Sequence, residues 1–364
     1  MGFTDDRRKY QLAFLRKGEE IVVGNRENLP LRLEELMKID ENSGYVEQVF
    51  SSGLTAYVYK LNIDGQFYTL KRKRPEILVK NIDGQTSFLN EVQRRSDFEK
   101  LNKRHIEKFE CVVDTVYASL KNEIILSKWI EGSFITQFSP SIYESIYSTL
   151  LEVEKGGLFE CDLSSPNLLV DDENKVHFFD FGYMYPFNPL KHYNSDGTEN
   201  PIFHTAERLE SRFLMQYLLD IERNEGIETV LAHYRIAKEA SLKFYLKKMH
   251  WLRTYNAQKN IIDWQTNYIT LWENGLKSDA CLLNVYELEA YRSYLLDVHD
   301  DLSGKSCTAA TLQKADKIIQ KLEDNYDFLK NNNGLFWGDE NMEKEQLLKK
   351  YQTWKRKAIS YQLK

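Results

Sequence analysis

Two carboxylates joined through a short polar hairpin constrain this chain more than any other feature. The stretch Cys161-Asp162-Leu163-Ser164-Ser165-Pro166-Asn167-Leu168-Leu169-Val170 leads through Asp171-Asp172-Glu173-Asn174-Lys175 into Val176-His177-Phe178-Phe179-Asp180-Phe181-Gly182. The apolar runs at 167–170 and 176–179 read as two short strands, and the polar link between them reads as their turn. Such a hairpin sets the distances between Asp162, Asn167 and Asp180. Phosphoryl transfer from ATP needs this set of groups: one carboxylate facing the acceptor hydroxyl, and an amide with a second carboxylate to hold Mg²⁺.

The segment resembles the catalytic loop (H-R-D-x-x-x-x-N) and the D-F-G motif of the protein-kinase-like superfamily. The resemblance covers roughly residues 46–210. It implies an α+β, bilobal protein-kinase-like fold with a small β-rich N-lobe and an enlarged, mostly helical C-lobe. It also implies Asp162 as the base that orients the acceptor, with Asn167 and Asp180 as ligands of Mg²⁺.

Upstream, Val49–Leu61 reads as a strand, a small-residue turn and a strand. Asp64-Gly65 marks a tight turn, and a third strand spans 67–71. This is similar to the family's phosphate-covering hairpin, although Gly53 alone remains of three glycines. Gly53, Leu54 and Thr55 are then the residues whose backbone approaches the phosphates of ATP, helped by the small neighbours Ser51, Ser52 and Ala56. Side-chain alternation selects the phosphate-binding lysine. Thr69, Lys71 and Lys73 share one face of the third strand. With Lys71 in the role, Thr69 lies beneath the adenine; with Lys73, the Lys71 ammonium would be buried there unpaired, at a cost. Lys71 is therefore expected to bind phosphate, and Arg72, Lys73 and Arg74 to be a solvated strand end.

The run 86–101 has helical spacing of Phe88, Leu89, Val92 and Phe98, with Thr86 or Ser87 as cap. The resemblance makes Glu91 the partner of Lys71, with Glu99 as the fallback. The strand at 123–130 followed by Glu131-Gly132 looks like the family's hinge. Backbone groups near Lys128 and Ile130 would bond the adenine edge, and Ser127 would stand behind it.

The 364 residues suffice for such a unit with material to spare, and 42% hydrophobic and 29% charged content is ordinary for a globular protein. The net charge of −6, with no basic face apparent beyond 71–74, argues against a nucleic-acid partner. Cys111, Cys161, Cys281 and Cys307 lack metal-site spacing, and nothing requires an oxidising compartment. No apolar run approaches membrane-spanning length, and the first residues do not read as a signal peptide. The expected location is the cytoplasm, with a leaderless secreted effector as the alternative.

The expected organisation is a helical or irregular lead-in (1–45), an N-lobe (46–131), the catalytic part of the C-lobe (132–225) and a helical extension (226–364). Residues 183–203 form a loop placed as the family's activation segment would be. Helices are expected at 205–223, 226–275 (with a bend), 284–302, 308–331 and 341–360. The aromatics Tyr245, Trp251, Tyr255, Trp264, Tyr268 and Trp272 are expected in the core, with a docking surface for a protein partner as the alternative.

Several residues depart from the family pattern. Glu160-Cys161-Asp162 replaces His-Arg-Asp, Ser164 follows the base where Lys or His is usual, and Ala-Pro-Glu is missing. The catalytic set is complete, whereas the groups on the acceptor side are atypical. The expected activity is transfer of the γ-phosphate of Mg²⁺-ATP to a hydroxyl, with a protein Ser/Thr preferred over a small molecule such as a sugar. A non-catalytic pseudokinase scaffold and an AMP transferase on the same fold are the other readings.

Overall fold

The computed structural model describes residues 2–363. The fold is mixed α+β: antiparallel sheet dominates the N-terminal region and helices the C-terminal part. The chain forms two compact units. The first comprises Met1–Thr136, Ser148–Asp162 and Pro166–Asn200; the second comprises Gln137–Tyr147, Leu163–Ser165 and Pro201–Lys364.

The elements of the first unit are helix α1 (Phe3–Lys17), strand β1 (Val22–Gly24), the short helix α2 (Leu33–Leu36), and strands β2 (Val46–Phe50), β3 (Ala56–Ile63) and β4 (Gln66–Lys73). Helix α3 (Ile82–His105) and strands β5 (Thr115–Ser119), β6 (Ile124–Lys128) and β7 (Ser133–Phe134) follow. The chain then runs through α4 (Pro140–Lys155) to β8 (Leu158–Glu160), β9 (Leu168–Val170), β10 (Val176–Phe178) and β11 (Met184–Pro186).

Six strands pair in the order β1-β5-β6-β4-β3-β2. Alternation along them divides their side chains between two faces. One face buries Tyr59, Leu61, Ile63, Leu70, Tyr117, Ile124 and Leu126 beneath Leu33, Leu36 and Ile39. The opposite face buries Ala118 and Ile125 with Val23 of β1 and Phe88 and Val92 of α3. The turn between β3 and β4 is the expected tight one, with positive φ at Asp64 (52°) and Gly65 (80°), the conformation that glycine supplies at little cost.

The first 45 residues are thus more than a lead-in. They contribute a strand to the sheet, four buried apolar side chains to its two faces (Val23, Leu33, Leu36 and Ile39), and α1. Helix α1 joins α3 through Arg8, whose guanidinium takes both oxygens of Asp83. It joins the 183–200 segment through the Thr4–Asp196 hydrogen bond and through Phe3, whose ring lies edge-on to His192 at 4.7 Å.

The second unit is helical: α5 (Thr205–Leu209), a π-helical turn (Glu210–Leu214), α6 (Met215–Glu225), α7 (Ile227–Thr254), α8 (Lys259–Gly275), α9 (Asp279–Gly304), α10 (Ala309–Asn331) and α11 (Lys344–Ser360). The expected bend in 226–275 falls between α7 and α8. Among the aromatics expected in the core, Tyr245, Trp264 and Trp272 are buried, Trp251 and Tyr268 are half-buried, and Tyr255 is exposed, its ring tilted 36° against Trp251 at 5.2 Å. The π-turn sets Glu210 into a buried ion cluster, where Lys238 bonds it and Arg292 reaches it at 2.7 Å. Glu289 completes the cluster, pairing with Lys238 and accepting from Trp272 Nε1 at 2.9 Å. Burial, and then Glu289, raise Glu210 above the ordinary carboxyl range, against the pull of Lys238 and Arg292. Helix α11 also bears a basic groove of about 400 Å³ lined by Lys349, Lys350, Lys357 and Trp354. Sequence inspection had found no such face.

Leu36 tests whether the N-terminal segment is core. It is fully buried, and removing a buried leucine side chain typically costs about 2–5 kcal/mol through lost transfer energy and the cavity left behind. Leu36→Ala should lower unfolding stability in urea by about 3 kcal/mol. A loss within the range of surface substitutions would mean that 1–45 is an appendage.

Candidate active site

The sheet aims Lys71 at α3. Opposed residues of neighbouring strands share a face, so Lys71 stands with Ile125, and Thr69 with Ser127, on the α3 side. Helix α3 presents Glu91 to the same side. Lys71 Nζ lies 2.9 Å from Glu91 Oε1 and 2.8 Å from Asp180 Oδ2. Burial works against the charge of Lys71, but Asp180 and Glu91 outweigh it and raise the ammonium above its ordinary range. Burial likewise opposes the charge of Asp180, yet Lys71 holds that carboxyl below its ordinary range. Both groups are therefore ionised at neutral pH. Glu99 takes no part; it pairs with Lys103 at 3.5 Å on the helix surface.

Lys73 ends near Glu123, at 2.5 Å. The other two basic residues of the strand end are not solvated as expected. Arg72 bonds the carbonyl of Ile39. Arg74 fastens the 51–55 loop, donating from Nε to Gly53 O (2.7 Å) and from Nη2 to Ser51 O (2.9 Å). The carbonyls of Thr55 and Leu54 accept from the N–H groups of Arg74 and Leu78, both at 3.0 Å. No N–H of residues 51–55 donates to another described residue. The loop thus has its carbonyls tied back and its amides unspent, the arrangement that a cradle for an anion requires. A Cβ on Gly53 would sit 2.5 Å from the carbonyl of Ala56, which explains why glycine persists there.

The hairpin of β9 and β10 has the register Leu168↔Phe178 and Val170↔Val176. Continued by one residue, that register sets Asn167 opposite Phe179, the neighbour of Asp180. Asn167 Nδ2 donates to the carbonyl of Asp162 (3.0 Å) and to its Oδ2 (2.9 Å). This turns Asn167 Oδ1, the atom able to bind a cation, away from Asp162. Asp180 Oδ1 accepts the N–H of Gly182 at 3.1 Å. The structure therefore joins Lys71, Glu91 and Asp180 directly, joins Asp162 and Asn167 directly, and links the two groups through the hairpin.

At the expected hinge, the N–H of Lys128 is engaged by Asp114 O at 3.1 Å. The N–H and C=O of Ile130 have no hydrogen-bond partner among the described residues, so the backbone of Ile130 is open to a ligand edge. Among the described residues no cluster of three or more His, Cys, Asp or Glu could hold a metal. Asp180 and Asn167 carry oxygen donors of the kind that hard cations such as Mg²⁺ take.

Sequence reasoning missed three groups. Asn90, buried on α3, donates from Nδ2 to the carbonyls of Phe181 (3.1 Å), Gly182 (3.0 Å) and Met184 (2.7 Å), and so grips the turn after Asp180. Arg95, one turn beyond Glu91, donates to Glu91 Oε1 at 2.8 Å. Glu160 accepts the N–H of Asp162 at 2.7 Å. Burial, with Asp162 and Asp180 adding to it, raises Glu160 well above its ordinary value of 4.5. Each stands beside other polar residues, Asn90 before Glu91, Arg95 before Ser96-Asp97 and Glu160 near Asp162, and nothing local separates such a buried group from an exposed one.

No family model matches the chain, and no curated protein matches it at a significant level.

Glu160 yields a pH prediction. An acid whose folded pKa is raised binds more protons folded than unfolded, so stability falls as pH rises above the unfolded pKa. Glu160→Gln keeps the acceptor for the Asp162 N–H and cannot ionise. The variant should melt higher than wild type at pH 8, and the difference should shrink as the pH falls to 4. A gap that widens toward low pH would show that Glu160 is charged in the fold.

Proposed function

We propose that this chain is an ATP-dependent phosphotransferase with the two-lobed, protein-kinase-like fold expected from its sequence. The observation that carries the reading is the buried Lys71 ammonium between Glu91 and Asp180, beside a hairpin that presents Asp162 and Asn167. A buried ammonium between two carboxylates can be purely structural, as Lys238 between Glu210 and Glu289 is in the second unit. Lys71 differs in that its partner Asp180 keeps 34% of its side chain exposed, so phosphate oxygens can share the charge.

In this reading Lys71 neutralises charge on the α- and β-phosphates and Glu91 fixes its direction. The amides of the 51–55 loop bind phosphate oxygens. The Ile130 peptide bonds the adenine edge, and Thr69 lies against the ring. Asp180 Oδ1 and Asn167 Oδ1 would hold Mg²⁺. The bound ion supplies charge neutralisation at the β- and γ-phosphates. Asp162 orients the acceptor hydroxyl and accepts its proton. The rate gain comes from positioning and fixed charges rather than from covalent chemistry. The acceptor is a hydroxyl, with a protein Ser/Thr preferred and a small molecule as the alternative.

Intact-mass spectrometry after incubation with Mg²⁺-ATP, together with ATP consumption, tests the reading. A gain of one phosphoryl group, or ATP turnover with a candidate acceptor, supports it. A gain of one AMP supports the transferase alternative. Nucleotide-independent melting with no turnover would leave a scaffold.

Two substitutions refine the test. Lys71→Ala should abolish most turnover while Lys73→Ala, altering an exposed pair, changes it little; equal losses would refute the assignment. Asp162→Asn should lower turnover by about 10²–10⁴, the usual contribution of a general base, with ATP affinity retained because Asp162 faces the acceptor. Loss of affinity in a folded mutant would place Asp162 at the nucleotide instead.

A further inference from the structure

Arg95 is the least expected residue of the first unit. It lies in the run Gln93-Arg94-Arg95-Ser96, which reads as a solvated helix face, yet it is 2% exposed. A guanidinium offers five N–H donors in a rigid fork, and here the fork spans four pieces of structure. Nε and Nη2 converge on Glu91 Oε1 of α3, at 3.2 and 2.8 Å. Nη1 donates to Thr115 Oγ1 of β5 (3.0 Å) and to Ser127 Oγ of β6 (2.8 Å). Nη2 also reaches the carbonyl of Phe179, the residue before Asp180, at 3.0 Å. The ring of Phe181, the residue after it, lies 5.2 Å away.

The charge count explains what this cation does. Lys71 and Arg95 face Glu91 and Asp180, two cations against two anions. Without Arg95, Lys71 would serve two carboxylates alone, and Glu91 would be held by the lysine it is meant to direct. With Arg95, Glu91 is anchored from behind, and the peptide entering Asp180 is anchored to the same guanidinium. The carboxylate that aims Lys71 and the carboxylate that would meet a cation thus hang from one rigid group.

We infer that Arg95 is a positioning residue for the proposed reaction: it fixes the spacing between the Lys71 ammonium and the Asp180 carboxylate by holding Glu91 and the Phe179 peptide at once. The inference rests on the nucleotide reading for its purpose, but its mechanical part can be measured without nucleotide.

The experiment compares wild type, Arg95→Met and Arg95→Lys. Methionine fills comparable volume without charge or donors; lysine restores charge beside Glu91 but cannot span to Thr115, Ser127 and Phe179 together. Hydrogen exchange of the apo protein should show lost protection at the amides of 179–184 in Arg95→Met, with the rest of the sheet unchanged. Thermal-shift titrations with ATP should lose roughly tenfold to a hundredfold in the Mg²⁺-dependent part of the affinity, the usual effect of removing a group that orients a metal ligand. The affinity in EDTA should be nearly unchanged, and Arg95→Lys should fall between. Should Arg95→Met not fold, Arg95→Lys carries the test alone: its ammonium can stay beside Glu91 but cannot also span to the Phe179 carbonyl, and it should show a milder loss of protection at 179–184. Unchanged protection and unchanged Mg²⁺ dependence in a folded variant would overturn the inference and make Arg95 a packing residue. A wild type without affinity for ATP under any condition would instead count against the nucleotide reading, and protection at 179–184 would then decide the mechanical part alone.

Discussion

The buried Lys71 ammonium is the constraint on which the first unit turns. A charge in that position is tolerable only with close counter-charges, so Glu91 must face the sheet and Asp180 must reach it from the β10 end. Those two requirements fix the rotation of α3 about its axis and the course of the chain after β10. Arg95 and Asn90 then hold what the ion pairs specify, by taking the carbonyls of Phe179, Phe181, Gly182 and Met184. The geometry that would serve phosphate chemistry is also the geometry that keeps the charges paired.

The two units use buried charge differently. In the first, the Asp180 side chain keeps part of its surface open (34% exposed) while Lys71 and Glu91 are closed off, so a ligand can compete for one partner of the lysine. In the second, Lys238, Glu210 and Glu289 are all but sealed. Buried ionic groups add little net stability, because desolvation offsets their attraction. Here they tie together the π-turn, α7 and α9. The first cluster is an open circuit of charge and the second a closed one.

The β9–β10 hairpin and the direction of Lys71 were legible because they rest on rules of alternation and spacing that tertiary context rarely overrides. The long helices from 205 onward were legible for the same reason, down to the break between α7 and α8. The rest was hidden where polarity and burial part company. Arg95 and Asn90 sit among charged neighbours, and nothing local distinguishes a guanidinium that reaches into a core from one that points to water. Arg74 looked like a strand end because its partners, the carbonyls of Ser51 and Gly53, lie across the hairpin. The contribution of 1–45 was hidden because β1 has only three residues and pairs with a strand far along the chain. Its leucines lack the period of a strand or a long helix.

The attachment of α1 carries a consequence for how the protein is made. Thr4 bonds Asp196, 192 residues further along the chain, and β1 pairs with β5 across roughly a hundred. Contacts this distant in sequence slow folding, because the closure entropy must be met before they reward it. Helix α1 and strand β1 are thus tied to structure that must already have formed around Asp196 and β5, so a substitution that frees them acts on the late, docking part of folding.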